Sequence, residues 1–366
     1  MPSLIGGESI QEHDPEVTHV QPISTSPGNA ASTYRPEPVG KQITVDFKQP
    51  EGRAILEGLI KRADVVVENF RPGTLDKLGF NYSAVAAWHP RIVYCSISGF
   101  GHTGPRRTEA GYDAVMQAEG GLMSITGSAD GPPYRLGVAI ADIVTGMFAA
   151  QAVTAALFAR ERSGRGQHVD IAMLDSVVAL LSYQAGIYFA NGIAPARLGN
   201  RHPTIVPYET FRASDGDFVV AVGNDDQWRR FCAVTGFPED ERYATNRGRV
   251  TNYEALKPAL DATLATQTRD FWIGKLKAAG VPCGSVRDLK EVFADPQTEA
   301  RDMLVELEHA AAGMLKMTGT PLKFSDTPGS VRTPPPLLGQ HTEAILMNDL
   351  GVDRERIGDL RAKGVI

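Results

Sequence analysis

The feature that most constrains this chain is a run of valines between two acids, Asp64-Val65-Val66-Val67-Glu68. A strand-length stretch that is apolar at consecutive positions suits a strand covered on both faces, the environment of a parallel sheet. Its flanks agree. Upstream, Ile43-Thr44-Val45-Asp46-Phe47 alternates as a short strand, and Gln49-Pro50-Glu51 opens a helix over Arg53–Arg62 with Ile55, Leu56, Leu59 and Ile60 on one face. Downstream come a loop, Asn69–Gly73, a short helix near Ala84–Trp88 and a second strand, Ile92–Ile97. Strand, helix and strand in this order predict an α/β layer built on an open, mostly parallel, Rossmann-like sheet.

The chain of 366 residues is long enough for two domains. Its 42% hydrophobic and 22% charged residues are ordinary for a globular protein, which excludes a fibre or wholesale disorder. The expected division has a disordered or atypical N-terminal segment over residues 1–41, rich in Pro, Ser and Glu without apolar period. A large α/β domain covers 42–205 and a smaller α+β domain 206–310. The latter opens with a hairpin of Thr210–Arg212 and Phe218–Val222 about the turn Ser214–Asp217. Residues 311–366 form an extended Pro-rich return and a final helix, Thr342–Leu350, packed on the large domain. A long apolar helix is predicted from Ile143 to Glu161 and another over Leu174–Ala190. The stretch Ile143–Ala159 falls short of the roughly 20 apolar residues of a membrane span and reads as a helix buried on all sides.

A net charge of −6 gives no basic excess for phosphate neutralisation along a nucleic acid. Cys95, Cys232 and Cys283 are odd in number and far apart, so the expectation is buried, reduced thiols. Met1–Val17 has no basic start followed by an apolar core, which completes the expectation of a cytoplasmic protein with no membrane partner. The scattered eight histidines suggest no metal site. Gly99-x-Gly101-x-x-Gly104 follows a predicted strand, as a dinucleotide fingerprint would. However, Pro105 and Arg106-Arg107-Thr108-Glu109 stand where the helix should start, and Asp130, in a turn, is no ribose partner. No nicotinamide cofactor is expected; a glycine loop that closes over a substrate fits better. Asp142 follows the uncharged stretch Leu136–Ala141 and stands at the start of the long helix. Spacing alone suits an N-cap there. It equally suits a carboxylate nucleophile beside helix-end amides that stabilise an oxyanion.

Several segments together resemble one family, the class III CoA-transferases (CaiB/BaiF, the formyl-CoA and carnitine CoA-transferase type). They are ITVDFKQPEGRAILEGLIKRADVVVENFRPGTLDKLGF, SISGFGHTGP, GYDAVMQAEGGLMSITG, GVAIADIVTGMFAAQAVTAALFARERSGRGQHVDIAMLDS, GVPCGSV and PPPLLGQHT, in this order from about Ile43 to the C-terminus. The stretch LGNRHPTIVPYETF, Leu198–Phe211, further resembles members that use succinyl-CoA and dicarboxylates such as glutarate. The resemblance implies that CoA is moved from an acyl-CoA, succinyl-CoA for example, to a carboxylic or dicarboxylic acid. Asp142, in A-D-I-V-T-G, then carries first an aspartyl anhydride and next an aspartyl-CoA thioester. It maps CoA contacts onto Lys48, Asn69, Phe70, Lys77, Leu78 and Tyr112, with no metal and no nicotinamide, and implies an interlocked homodimer.

A racemase of α-methylacyl-CoA is the alternative enzyme of this fold. It has a histidine where this chain has Tyr112, and a tyrosine, with an ordinary pKa near ~10, is a poor acid/base partner near neutrality. The family also opens with an apolar strand, an A-G-P loop and a helix, for which Met1–Lys41 offers no match. A truncated, catalytically defective relative is therefore the other alternative.

Overall fold

In the computed structural model, which describes residues 18–22 and 40–366, the chain forms two compact units. The first comprises Met1–Leu122, Leu136–Ser182 and Glu299–Ile366, the second Met123–Arg135 and Tyr183–Thr298. In the first unit β1, Thr18–Pro22, pairs parallel with β2, Lys41–Val45, in the register Thr18↔Lys41. Most of residues 1–41 lies outside the described residues, but where no element was expected the described part holds this strand.

The valine run becomes β3, Val65–Glu68, with Val65, Val66 and Glu68 buried. It pairs parallel with β4, Val93–Ser98, which pairs parallel with β5, His168–Ala172, giving the order β3-β4-β5. The Pro-initiated helix Pro50–Arg62 buries Ile55, Leu56 and Ile60 in a core shared with Ile43, Val45, Val66, Ile92 and Tyr94. The C-terminus returns to the same core. Gln42 and His341 exchange hydrogen bonds of 3.0 Å, and Ile345, Leu346, Ile357 and Leu360 pack beneath β2. Two helices close the chain, Thr342–Asn348 and Arg354–Ala362, where the sequence suggested one.

The long helix runs over Ile140–Ser163, starting three residues before its expected first residue. With 24 residues and a mean hydropathy of 1.5 it is long and apolar enough to cross a membrane, yet it lies on the parallel sheet. Ala156 packs with Val65 and Val93, and buried Arg160 pairs with Asp64 at 2.8 Å. It is not buried on all sides as expected: Ile143, Met147 and Phe158 are 49%, 57% and 63% exposed. The next helical stretch is likewise not continuous. It breaks between Met173–Leu180 and Ser182–Asn191, where Ser182 takes a left-handed φ of 46°.

In the second unit β6, Tyr208–Arg212, and β7, Asp217–Ala221, form the expected antiparallel hairpin, and β8, Cys283–Ser285, adds to β7. Phe211, Phe218 and Val220 point from this sheet onto Trp228, Phe231, Leu256, Leu260 and Trp272 of the helices. The fully buried guanidinium of Arg249 donates to Val206 O (2.6 Å), Tyr243 O (2.9 Å) and Asp225 Oδ1 (2.9 Å). An unforeseen hairpin, β9 (Leu304–His309) with β10 (Gly313–Thr318), belongs to the first unit.

Candidate active site

Ligands of open α/β sheets sit beyond the carboxyl ends of the strands. Three connections of the first unit meet there: Asn69–Gly73 after β3, Gly99–Gly104 after β4, and the helix that follows β5. Asp142 enters from the long helix. Its position differs from that of an N-cap: Ala139 is the N-cap, with no side-chain capping bond, and Asp142 is half-buried in the first turn. That turn presents the positive end of the helix dipole, a setting that stabilises negative charge.

An amide of this turn is capped from another element. Ala141 N donates to Asp113 Oδ1 at 2.9 Å, and Asp113 Oδ2 accepts from Gln117 Nε2 at 2.7 Å. Asp113 follows Gly111 and Tyr112, and Gly111 lies flat against Gly99: a Cβ on Gly111 would stand 2.4 Å from Gly99 Cα. The glycine loop, expected from the sequence to close over a substrate, is fastened here by three hydrogen bonds. Gly101 N donates to Ser98 Oγ (2.9 Å), His102 N to Asp170 Oδ2 (2.9 Å), and Leu174 N to Gly99 O (3.0 Å). Gly101 and Gly104 have φ of 83° and 81°, left-handed conformations that suit glycine.

His102 Nε2 reaches to 3.8 Å from Glu68 Oε1. Glu68 is 3% exposed; its Oε2 accepts from Phe70 N at 2.9 Å, and Ser96 adds a second hydrogen bond. Burial pushes its carboxyl above the ordinary glutamate value, opposed by those two bonds. Ser96 Oγ also bonds His168 Nε2 at 2.9 Å, and Tyr82 stacks on that imidazole at 5.3 Å. Burial, then the neighbouring His102, lowers the His168 pKa. These groups border a cavity of about 170 Å³ that Arg71 and Asp76 also line. A continuous set of contacts therefore leads from Ala141 through Asp113, Gly111 and Gly99 to His102, Glu68 and the loop at Phe70.

Asp142 and all six residues expected to contact CoA lie in this unit. Tyr112 is 58% exposed and occupies the N-cap of helix Asp113–Glu119, one residue from the Asp113 tie. Asn69 and Phe70 follow β3; the Phe70 ring packs edge-on to Phe47 at 6.2 Å, against the core. Leu78 packs on the same core, while Lys77 beside it and Lys48, after β2, are exposed. Among the described residues no three His, Cys, Asp or Glu side chains gather as metal ligands. Sequence reasoning passed over Asp113, Gln117, Glu68, His102 and His168. Only the first two had a local signal, an Asp and a Gln four apart on one helix.

The model of CoA-transferase family III matches residues 18–342, starting upstream of the resemblance read from Ile43. The chain is 42% identical over 322 residues to a succinate–glutarate CoA-transferase of Agrobacterium fabrum, covering 87% of this chain and 80% of that one. It is 39% identical over 329 residues to the human succinyl-CoA:glutarate CoA-transferase, covering 89% and 75%. A crystal structure of a CaiB/BaiF family protein from Brucella suis superposes with a TM-score of 0.76 at 42% identity, covering 85% and 82%.

Proposed function

The chain belongs to CoA-transferase family III, and from that premise we propose that it passes CoA from succinyl-CoA to a dicarboxylate of glutarate size through Asp142. The observation that carries the reading is the placement of the Asp142 carboxylate in a helix first turn whose backbone is tied down by Asp113. In the reading, Asp142 attacks the thioester carbonyl, the C–S bond breaks, and an aspartyl-acyl anhydride and CoA thiolate result. The thiolate attacks the aspartyl carbonyl of the anhydride, releasing the donor as its carboxylate and leaving an aspartyl-CoA thioester. The acceptor carboxylate attacks that thioester and expels the thiolate, which then takes the acceptor acyl group and frees Asp142.

One carboxylate thioester is exchanged for another at little net free energy. The protein's part is therefore to position the groups, stabilise the oxyanions and exclude water. Lys48 and Lys77, both exposed, are proposed to meet the CoA phosphates; Asn69, Phe70, Leu78 and Tyr112 are proposed to line its path. The names of the relatives support the choice of succinyl-CoA and glutarate. The exposed apolar residues of the long helix, Ile143, Met147 and Phe158, support a homodimer in which a second copy covers them. A mass of one chain in sedimentation would refute that part.

The test of the activity is transfer from succinyl-CoA to a panel of mono- and dicarboxylates by wild type and Asp142→Ala. The expected result is transfer favouring glutarate and abolished by the substitution. Transfer that survives Asp142→Ala sinks the mechanism. Solvent deuterium entering the α-carbon of a 2-methylacyl-CoA without CoA transfer would instead identify a racemase.

A further inference from the structure

We propose that Asp113 and Gln117 are positioning residues that set the Asp142 carboxylate through its backbone; this rests on Asp142 being the nucleophile. Residues 136–138, which lead into the long helix, are exposed. Burial of these side chains therefore does little by itself to fix where the helix starts. Two side chains supply the constraint. Gln117 is fully buried and uses both ends of its amide: Oε1 accepts from Leu136 N at 2.9 Å and Nε2 donates to Asp113 Oδ2 at 2.7 Å. Asp113 Oδ1 then accepts from Ala141 N at 2.9 Å. The three bonds run in series and hold residues 136–141 at both ends.

Ala141 is held at three points. Its N–H goes to Asp113, its carbonyl accepts from Thr145 Oγ1 at 2.6 Å, and its fully buried methyl packs with Met116, Met173 and Val177. The peptide that leads into Asp142 therefore has little freedom. The relay is also directional. It needs acceptors at both oxygens of residue 113 and a group at 117 that donates on one side and accepts on the other. A misplacement of order 1 Å at a reacting group costs about 10²-fold in rate.

Three variants test this. Gln117→Met removes both amide bonds at similar volume and should lower kcat by about 10²-fold while KM for succinyl-CoA stays within about twofold. Gln117→Glu sets two carboxylates together. Its kcat relative to wild type should rise as pH falls from 8 to 5.5, because a protonated Glu restores both the donor and the acceptor. Asp113→Asn keeps an acceptor for Ala141 N but gives Gln117 an amide to face. Hydrogen exchange should then quicken at Leu136 and stay slow at Ala141. Unchanged kcat in Gln117→Met, a flat Gln117→Glu ratio, or unaltered exchange at Leu136 in Asp113→Asn would each overturn the relay. The exchange measurement needs no turnover. If wild type transfers no CoA, the functional reading falls while the relay is still judged.

Discussion

Gly111→Ala adds one methyl where two backbones touch. The new Cβ would stand 2.4 Å from Gly99 Cα, 3.4 Å from Gly99 N and 3.3 Å from Met173 Sδ. Carbon atoms in contact prefer about 3.5–4.0 Å, so a separation near 1 Å must open between the two segments. The Met173 side chain can turn away. Gly99 cannot, because its carbonyl accepts from Leu174 N and the loop beyond it is tied at Gly101 and His102. Overpacking costs about 1–3 kcal/mol, and a backbone-to-backbone clash belongs at the upper end. At roughly 2–4 °C per kcal/mol for a unit of this size, Tm should fall by roughly 6–12 °C. If segment 111–113 yields instead, the 2.9 Å bond from Ala141 N to Asp113 lengthens past hydrogen-bonding range, and kcat should drop about 10²-fold. The assays are thermal unfolding by circular dichroism and CoA transfer on the same samples. Gly358→Ala is the control, since nothing lies within 4 Å of its Cβ position in helix Arg354–Ala362 and it should gain about 0.5–1 kcal/mol. Gly111→Ala with wild-type Tm and kcat would refute the close contact and the path built on it.

Arg249→Met leaves the carbonyls of Val206 and Tyr243 without their buried donor and should destabilise the second unit by about 2–4 kcal/mol, read from the emission of Trp228 and Trp272. The His168 pKa is lowered by burial, so the folded state binds its proton less readily than the unfolded chain. The stability this gives is present above the ordinary value of about 6.5 and is lost as pH falls through the lower folded value. The Tm difference between wild type and His168→Gln should therefore shrink as pH drops from 7.5 to 5; a constant difference would contradict it. With a thiol reagent at pH 8, Cys283 should react first. Burial pushes Cys95 up to about 12 and Cys232 up to about 11, and both side chains are inaccessible.

The parallel layer was legible because Val65–Val67 carries its own signal: a run this short, β-branched and apolar at successive positions suits a strand covered on both faces. The hairpin of the second unit was legible for a similar reason, an Asp-Gly turn between alternating runs. The β9–β10 hairpin was harder, since its alternation, Leu304 to His309, is only half-buried and its turn is an alanine run before Gly313. The start of the long helix was misplaced because its N-cap, Ala139, has no capping side chain; the acceptor for Ala141 N comes from Asp113, 28 residues earlier. Such partners are fixed by tertiary packing, beyond any local pattern. For the same reason Asp142 could be found as a carboxylate at a helix start, whereas the Gly99–Gly111 contact and the Glu68–Ser96–His168 cluster could not. In the glycine loop, Gly99 serves close approach, Gly101 and Gly104 serve left-handed turns, and the amides of Gly101 and His102 are bonded to Ser98 and Asp170, partners that no local pattern announces.

The most direct test of the account is the chemical state of Asp142 during turnover. Cleavage by trypsin after Arg135 and Arg160 releases Leu136–Arg160, in which Asp142 is the single acidic residue. After incubation with succinyl-CoA and no acceptor, mass spectrometry should find this peptide heavier by CoA less one water. The added mass should disappear when glutarate is supplied and be absent in Asp142→Ala. CoA transfer by wild type with this peptide unmodified, or with the adduct on another peptide, would contradict the assignment of Asp142 as the residue that carries CoA.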